Sequence, residues 1–179
     1  GETIERQDIS EGYPGLPVRL ALLVVDAECN PVAGATVDIW HTGHTGLYSG
    51  DDVVPMCTTG DADAIAHRYF RGVQTTDAEG RVDFDTCFPG WYPGRAIHIH
   101  FTVRAGNREA TSQLFFPDVL NTEINATHPD YTGKAPDTTN ATDGIFDASL
   151  IVESAQQDDG ALLAWKVLVL GSGAQASAC

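Results

Sequence analysis

At 179 residues, 42% of them hydrophobic, the chain is long enough to bury one full core and too apolar for intrinsic disorder. Its 25 acidic and 10 basic residues give a formal charge of −15, which repels phosphate backbones and anionic lipid and excludes nucleic-acid and membrane-surface partners. No apolar run approaches the ~20 residues of a transmembrane helix, and a small neutral or weakly charged ligand fits this surface. In chain order, residues 19–26 (RLALLVVD) read as a strand that ends at the Asn30-Pro31 turn signal. Residues 35–41 (ATVDIWH) alternate polar and apolar, and the spacing predicts a hairpin with the strand before. Residues 71–76 and 81–86 flank Asp77-Ala-Glu-Gly80 and predict a second hairpin. Pro89-Gly90 breaks the chain before strands at 97–103, within 107–116 and at 162–170. Residues 49–67 are irregular. Residues 118–147 read as a long ordered loop with one helical turn near 119–125, and 171–179 as a linker-like tail. Strands at regular spacing with little helix predict an all-β protein, a single β-sandwich domain over 1–179 with its core in 8–170.

Cys29, Cys57, Cys87 and Cys179 are even in number and lack CxxC spacing. They fit two disulfides in an exported protein, or buried free thiols in a cytosolic one. The start at Gly1 without Met suggests a trimmed product. Asn125-Ala-Thr127 and Asn140-Ala-Thr142 match the glycosylation pattern, which matters only in a eukaryotic host.

The densest chemical signal is Arg95-Ala-Ile-His98-Ile-His100-Phe101. In a strand His98 and His100 share one face, and Ile97, Ile99 and Phe101 the other. Their Cα atoms then lie roughly 6.5–7 Å apart, close enough for both imidazoles to converge on one metal. A pair of partly buried, hydrogen-bonded histidines gives the same pattern. Tyr48 closes Gly43-His-Thr-Gly-Leu-Tyr48, and Tyr92 stands among glycines and prolines just before the histidine strand.

Taken together these segments resemble the intradiol ring-cleavage dioxygenases, non-haem iron(III) enzymes that open catechols. The resemblance is carried by residues 29–40 (CNPVAGATVDIW), Gly46-Leu-Tyr48, Arg71-Gly-Val-Gln-Thr-Thr-Asp77, Pro89-Gly-Trp-Tyr92, Arg95 to His100 and Ser112-Gln-Leu-Phe-Phe-Pro117, within a similarity that runs from about residue 8 to residue 170. It is strongest to the small exported members, which lack a helical dimerisation region. Secretion and a monomer or weak homo-oligomer are therefore expected. The resemblance implies Tyr48, Tyr92, His98 and His100 as iron ligands, with Tyr92 and His100 axial, and Arg95 and Gln113 in the substrate site. Catechol would bind through both oxygens, Tyr92 would act as a base by leaving the metal, and Arg95 would steady charge on the ring. Dioxygen then gives a cis,cis-muconate-type diacid. Phenolate is a hard oxygen donor, so this set suits Fe(III) better than Zn(II), and phenolate-to-iron charge transfer should colour the protein.

One departure is Thr42, where exported relatives often have cysteine after the Trp-His pair. The resemblance does not settle the disulfides, and Cys57–Cys87 with Cys29–Cys179 is the expected pairing. Of the remaining residues, His41 is expected at an exposed strand end. His44, His67 and His128 are expected in loops without a metal role, Arg71 in an ion pair, Trp40 and Trp165 in the core, and Trp91 at the substrate mouth. Residues 12–16 and 49–67 are candidate pocket walls. A non-catalytic β-sandwich binding module and a two-histidine zinc hydrolase are the competing readings; the first has no reason to carry Tyr48, Arg95, His98 and His100 together, and the second lacks a carboxylate ligand in the motif.

Overall fold

The computed structural model describes residues 4–51, 55–131 and 133–171. Eight strands, β1 Pro17–Val25, β2 Thr36–Trp40, β3 Arg71–Thr75, β4 Arg81–Cys87, β5 His98–Ala105, β6 Arg108–Phe115, β7 Glu153–Gln156 and β8 Leu162–Val169, form two four-stranded sheets. Their orders are β4-β1-β8-β7 and β3-β2-β5-β6, which is the β-sandwich expected from the strand spacing. Alternation puts Leu20, Leu22, Val24, Phe84 and Ala164 of the first sheet against Val37, Ile39, Ile99, Val103 and Leu114 of the second, all at most 2% exposed. Each large side chain so enclosed contributes about 1.5–3 kcal/mol.

Neither expected hairpin forms. β1 pairs with β4 and β8, while β2 pairs with β3 and β5, so β1 and β2 lie in different sheets. The same holds for β3 and β4. Alternation and a turn signal show that the chain reverses, but not which strand each edge meets. Here the two crossovers satisfy one another. Val24 N–H donates to Gly80 O at 2.8 Å, Gly34 N–H to Thr76 O at 3.1 Å, and Ala35 N–H to Thr76 Oγ1 at 2.8 Å.

The region read as a loop carries a ten-residue helix, Asp118–Thr127, well beyond one turn. Its buried face is Asn121, Ile124 and Asn125 at helical spacing. Asn and Thr are weak helix formers, so composition hid it. The Asn125 amide donates to Asn121 O at 2.9 Å and the Asn140 amide to Phe116 O at 2.8 Å, and the two residues are 1% and 6% exposed. Neither buried side chain leaves room for a glycan on its nitrogen. Intact mass after expression in a eukaryotic host should therefore show neither asparagine glycosylated; a glycan on folded protein at either position would contradict this packing.

Other expectations are corrected. Cys57 and Cys87 are both free thiols. Cys87 ends β4 with its thiol on Tyr13 O at 3.7 Å, whereas Cys57 lies in the short helix Pro55–Thr58, whose carbonyl takes the Tyr48 N–H at 3.0 Å. The Cys29–Cys179 pairing involves Cys179, which lies outside the described residues, as does all of the tail beyond Gly171. Trp165 is 37% exposed on the outer face of β8, and Trp40 is half-buried on the outer face of β2, so neither belongs to the core. The candidate pocket walls, residues 12–16 and 49–67, pack on each other through Tyr13 and His67, with ring centroids 5.5 Å apart.

His41 is completely buried instead of exposed. It stacks on Phe70 at 4.7 Å, donates Nδ1–H to Thr42 O at 2.8 Å and accepts at Nε2 from Thr86 Oγ1 at 2.7 Å. Burial lowers its pKa from 6.5 to about 4. Its neutral form is therefore favoured in the fold, and the associated stability is complete above pH 6.5 and drains away as pH falls towards 4. The shift corresponds to about 3 kcal/mol. Urea unfolding of wild type and His41→Gln at pH 7 and pH 4 should show the variant losing less stability on acidification; equal losses would remove His41 as the cause.

Candidate metal centre

His98 opens β5. Ile99 and Phe101 face the sandwich core, and His98 and His100 face the opposite side of the sheet, as the alternation predicts. Register then builds a row across three strands, with Trp40 of β2 and Gln113 of β6 both opposite His100. Trp40 lies parallel to the His100 ring, 4.8 Å between centroids and 1° between planes. Phe115 stands opposite His98.

Two loops bring the phenols over this row. In the first, Gly46 N–H donates to Gly43 O at 2.9 Å and Gly43 N–H to Leu47 O at 2.8 Å, a tight reversal that delivers Tyr48. Gly46 has φ +80°, and a Cβ there would lie 2.1 Å from Trp91 O. In the second loop a Cβ on Gly90 would lie 2.4 Å from Gly43 O and 2.5 Å from His44 O. The Tyr48 and Tyr92 loops therefore meet backbone to backbone, an approach only glycine permits. Thr42 adds to the lock by donating from Oγ1 to Gly90 O at 2.6 Å.

All four expected donors converge. The Tyr48 hydroxyl oxygen is 3.5 Å from that of Tyr92, 3.2 Å from His98 Nε2 and 3.1 Å from His100 Nε2. His98 Nε2 is 3.3 Å from the Tyr92 oxygen and 3.2 Å from His100 Nε2. Donors held about 2.0–2.1 Å from a common ion would stand at such separations. His98 donates Nδ1–H to Ala96 O at 2.6 Å, which leaves the Nε2 lone pair facing the other donors. Burial lowers His98 to about 4 and His100 to about 3, so both rings are neutral and able to ligate. Burial likewise raises the Tyr48 phenol well above its ordinary value, so a nearby cation is needed to ionise it. Among the described residues no group of three or more His, Cys, Asp or Glu is placed to hold a metal. The convergence at His98 and His100 is completed by phenols, and that donor set fits a hard trivalent ion such as Fe(III).

Arg95 and Gln113 come together beside this cluster. An Arg95 Nη2 N–H donates to Gln113 Oε1, and Gln113 Nε2 lies 3.4 Å from His100 Nδ1. Arg95 Nε–H donates at 2.9 Å to the fully enclosed carboxylate of Asp143, a residue that sequence reasoning missed because its acidic, Gly-containing surroundings look like any turn. Burial alone would raise the Asp143 pKa, but donors from Ile145, Ala96 and Arg95 outweigh it and hold the carboxyl below the usual range. Trp40 was also missed as part of the site, although its place opposite a histidine could be read only once the pairing was known. Trp91 is half-buried and donates from Nε1 to Lys134 O at 3.3 Å. His67 and His128 lie outside the donor cluster, each beside an aspartate, Asp63 and Asp130 respectively. Arg71 donates from Nε to Ser49 O at 2.9 Å.

Comparison with known proteins fits this site. A family model described as Dioxygenase matches residues 2–131, which makes the chain a dioxygenase by family. An intradiol ring-cleavage dioxygenase from Tetranychus urticae is 31% identical, superimposes with a TM-score of 0.81, and is aligned over 95% of this chain and 88% of its own. The chain belongs to the intradiol ring-cleavage dioxygenase family. The dioxygenase domain of a dioxygenase carbohydrate-binding protein fusion from Streptomyces sp. SirexAA-E is 26% identical with a TM-score of 0.70, over 96% of this chain and 91% of that one. A chlorocatechol 1,2-dioxygenase from Pseudomonas putida is 30% identical over 48% of this chain. The chain spans 36% of that relative's length.

Proposed function

We propose that this protein holds Fe(III) through Tyr48, Tyr92, His98 and His100 and opens catechol-type aromatic rings with O2, between the two hydroxylated carbons, to cis,cis-muconate-type diacids. The observation that carries this reading is the meeting of two phenol oxygens and two imidazole nitrogens, with the Tyr48 oxygen and His98 Nε2 each 3.1–3.5 Å from the other three donors. When bound, the ferric ion supplies Lewis acidity and a template for both catechol oxygens. Tyr48 is 6% exposed and serves as a fixed anionic donor. Tyr92, only half-buried, is the phenol placed to take a catechol proton at its oxygen. Arg95 sets a positive charge beside the ring, where negative charge develops. Gln113, tied to Arg95, orients the substrate or bonds to it. The family relationship favours this reading over a non-catalytic binding module.

The test is oxygen uptake by ferric-loaded protein against catechol, hydroxyquinol, protocatechuate and chlorocatechol, with the product spectrum followed. Stoichiometric uptake with a colourless diacid product is expected. A yellow semialdehyde would indicate cleavage outside the diol, and absence of uptake on every ring would overturn the assignment.

A further inference from the structure

Asp143 lies beyond the family-model match, which ends at residue 131. Its side chain is nevertheless fully enclosed and receives three donors: Arg95 Nε–H at 2.9 Å and Ala96 N–H at 2.8 Å on Oδ2, and Ile145 N–H at 2.8 Å on Oδ1. The short 3-10 turn that delivers it, Asn140–Thr142, is anchored at its other end. There Asn140 N–H donates to the Asp118 carboxylate at 3.0 Å, and Thr139 and Thr142 close a capping box. Just after Asp143, Phe146 packs edge-on against Phe115, which is itself paired with His98. Asp143 is thus a fixed point seated from two sides.

The guanidinium of Arg95 has its Nε engaged by Asp143 and its Nη2 engaged by Gln113. Among the described residues its Nη1 has no protein partner. A planar fork held at two of its three nitrogens cannot rotate, so the third keeps one direction. We infer that Asp143 is a positioning residue for ring opening: by holding Arg95 Nε–H it sets the guanidinium plane, so that Nη1 addresses the substrate ring and Nη2 fixes Gln113 against His100. This rests on the function proposed above and adds to it a residue that touches neither metal nor substrate.

Three variants test it. In Asp143→Asn the amide oxygen in the Oδ2 position still accepts from Ala96 N–H and Arg95 Nε–H, so the start of the histidine strand is kept, while the negative charge that pins the guanidinium is lost and the amide nitrogen faces Ile145 N–H. Iron per chain and the visible band should match wild type, and anaerobic catechol affinity should change less than about threefold, while kcat falls roughly 10–100-fold, as for other outer partners of a reactive centre. In an Arg95→Met background the same substitution should change kcat less than about twofold, because Asp143 acts through Arg95. In Asp143→Glu the ion pair survives but the guanidinium is displaced by a methylene, and kcat should fall at least about fivefold with melting temperature retained. Wild-type kcat in Asp143→Asn or Asp143→Glu, or a full additional loss in the Arg95→Met background, overturns the inference.

Wild-type protein that opens no ring strikes the proposed function instead, and the contact is then read without turnover. In protein loaded with diamagnetic gallium(III), solvent exchange of Arg95 Nε–H should quicken at least about tenfold in Asp143→Asn, because a neutral amide oxygen holds that hydrogen far less tightly than the carboxylate does. Unchanged exchange overturns the positioning role.

Discussion

Replacing His98 with alanine should abolish ring opening and strip most of the iron. His98 is 3% exposed, its Nδ1–H is committed to Ala96 O, and its Nε2 stands within 3.3 Å of the Tyr48, Tyr92 and His100 donor atoms. Among the described residues no third His, Cys, Asp or Glu is grouped with His98 and His100 to supply the missing lone pair. Loss of an outer-shell partner typically weakens metal binding 10–100-fold, so loss of a direct ligand should cost at least about 100-fold. Turnover should drop below about one-thousandth of wild type, a barrier increase of about 4 kcal/mol. The substitution also leaves Ala96 O without its donor, which costs about 1–3 kcal/mol of stability. A thermal melt therefore accompanies the assay, and His98→Gln serves as the gentler variant. Iron content by metal analysis and oxygen uptake decide the matter: folded His98→Ala that retains stoichiometric iron and turnover removes this residue from the centre.

Tyr48→Phe should bleach the protein. Burial keeps the Tyr48 phenol protonated well above its ordinary range, so an ionised Tyr48 exists only with a cation beside it. Its phenolate-to-iron charge transfer then accounts for much of the visible band, and removing the oxygen should lose more than about half of that absorbance and at least about tenfold in iron affinity, within the range for perturbed metal sites. Iron-free protein should respond differently. Phenylalanine fills the same space and removes a buried hydroxyl, so stability without metal should change by less than about 1 kcal/mol. The contrast between loaded and iron-free melts separates a ligand from a packing residue. An unchanged spectrum with full iron excludes Tyr48 as a donor.

Much of this centre was legible because its parts are local. A strand with His98 and His100 on one face needs only a period of two, and the glycines and prolines around Tyr48 and Tyr92 announce loops. Arg95 and Gln113 were legible through family resemblance, and the structure joins them by a hydrogen bond. What escaped depends on partners distant in sequence. Nothing near Asp143 shows that it meets Arg95, 48 residues earlier. Trp40 reads as an ordinary core aromatic until β2 is known to run beside β5. His41 sits one residue beyond a strand end, and only the arrival of Phe70 and Thr86 encloses it. The two failed hairpins have the same origin, because a reversal in the chain is written locally and strand pairing is not.

The parallel pairing of β1 with β8, Val18 with Leu162 through Val25 with Val169, has a consequence for how the molecule comes into being. Every other neighbour in that sheet either joins β1 or waits for β8, so a nascent chain lacks its central seam until residue 169 has left the ribosome. Contacts so far apart along the polypeptide are slow to find and leave apolar edges bare meanwhile. The histidine row, complete by residue 113, is synthesised long before that closure. Metal capture ahead of completion would have to occur on a half-built sandwich, so loading is best attempted on chains already closed.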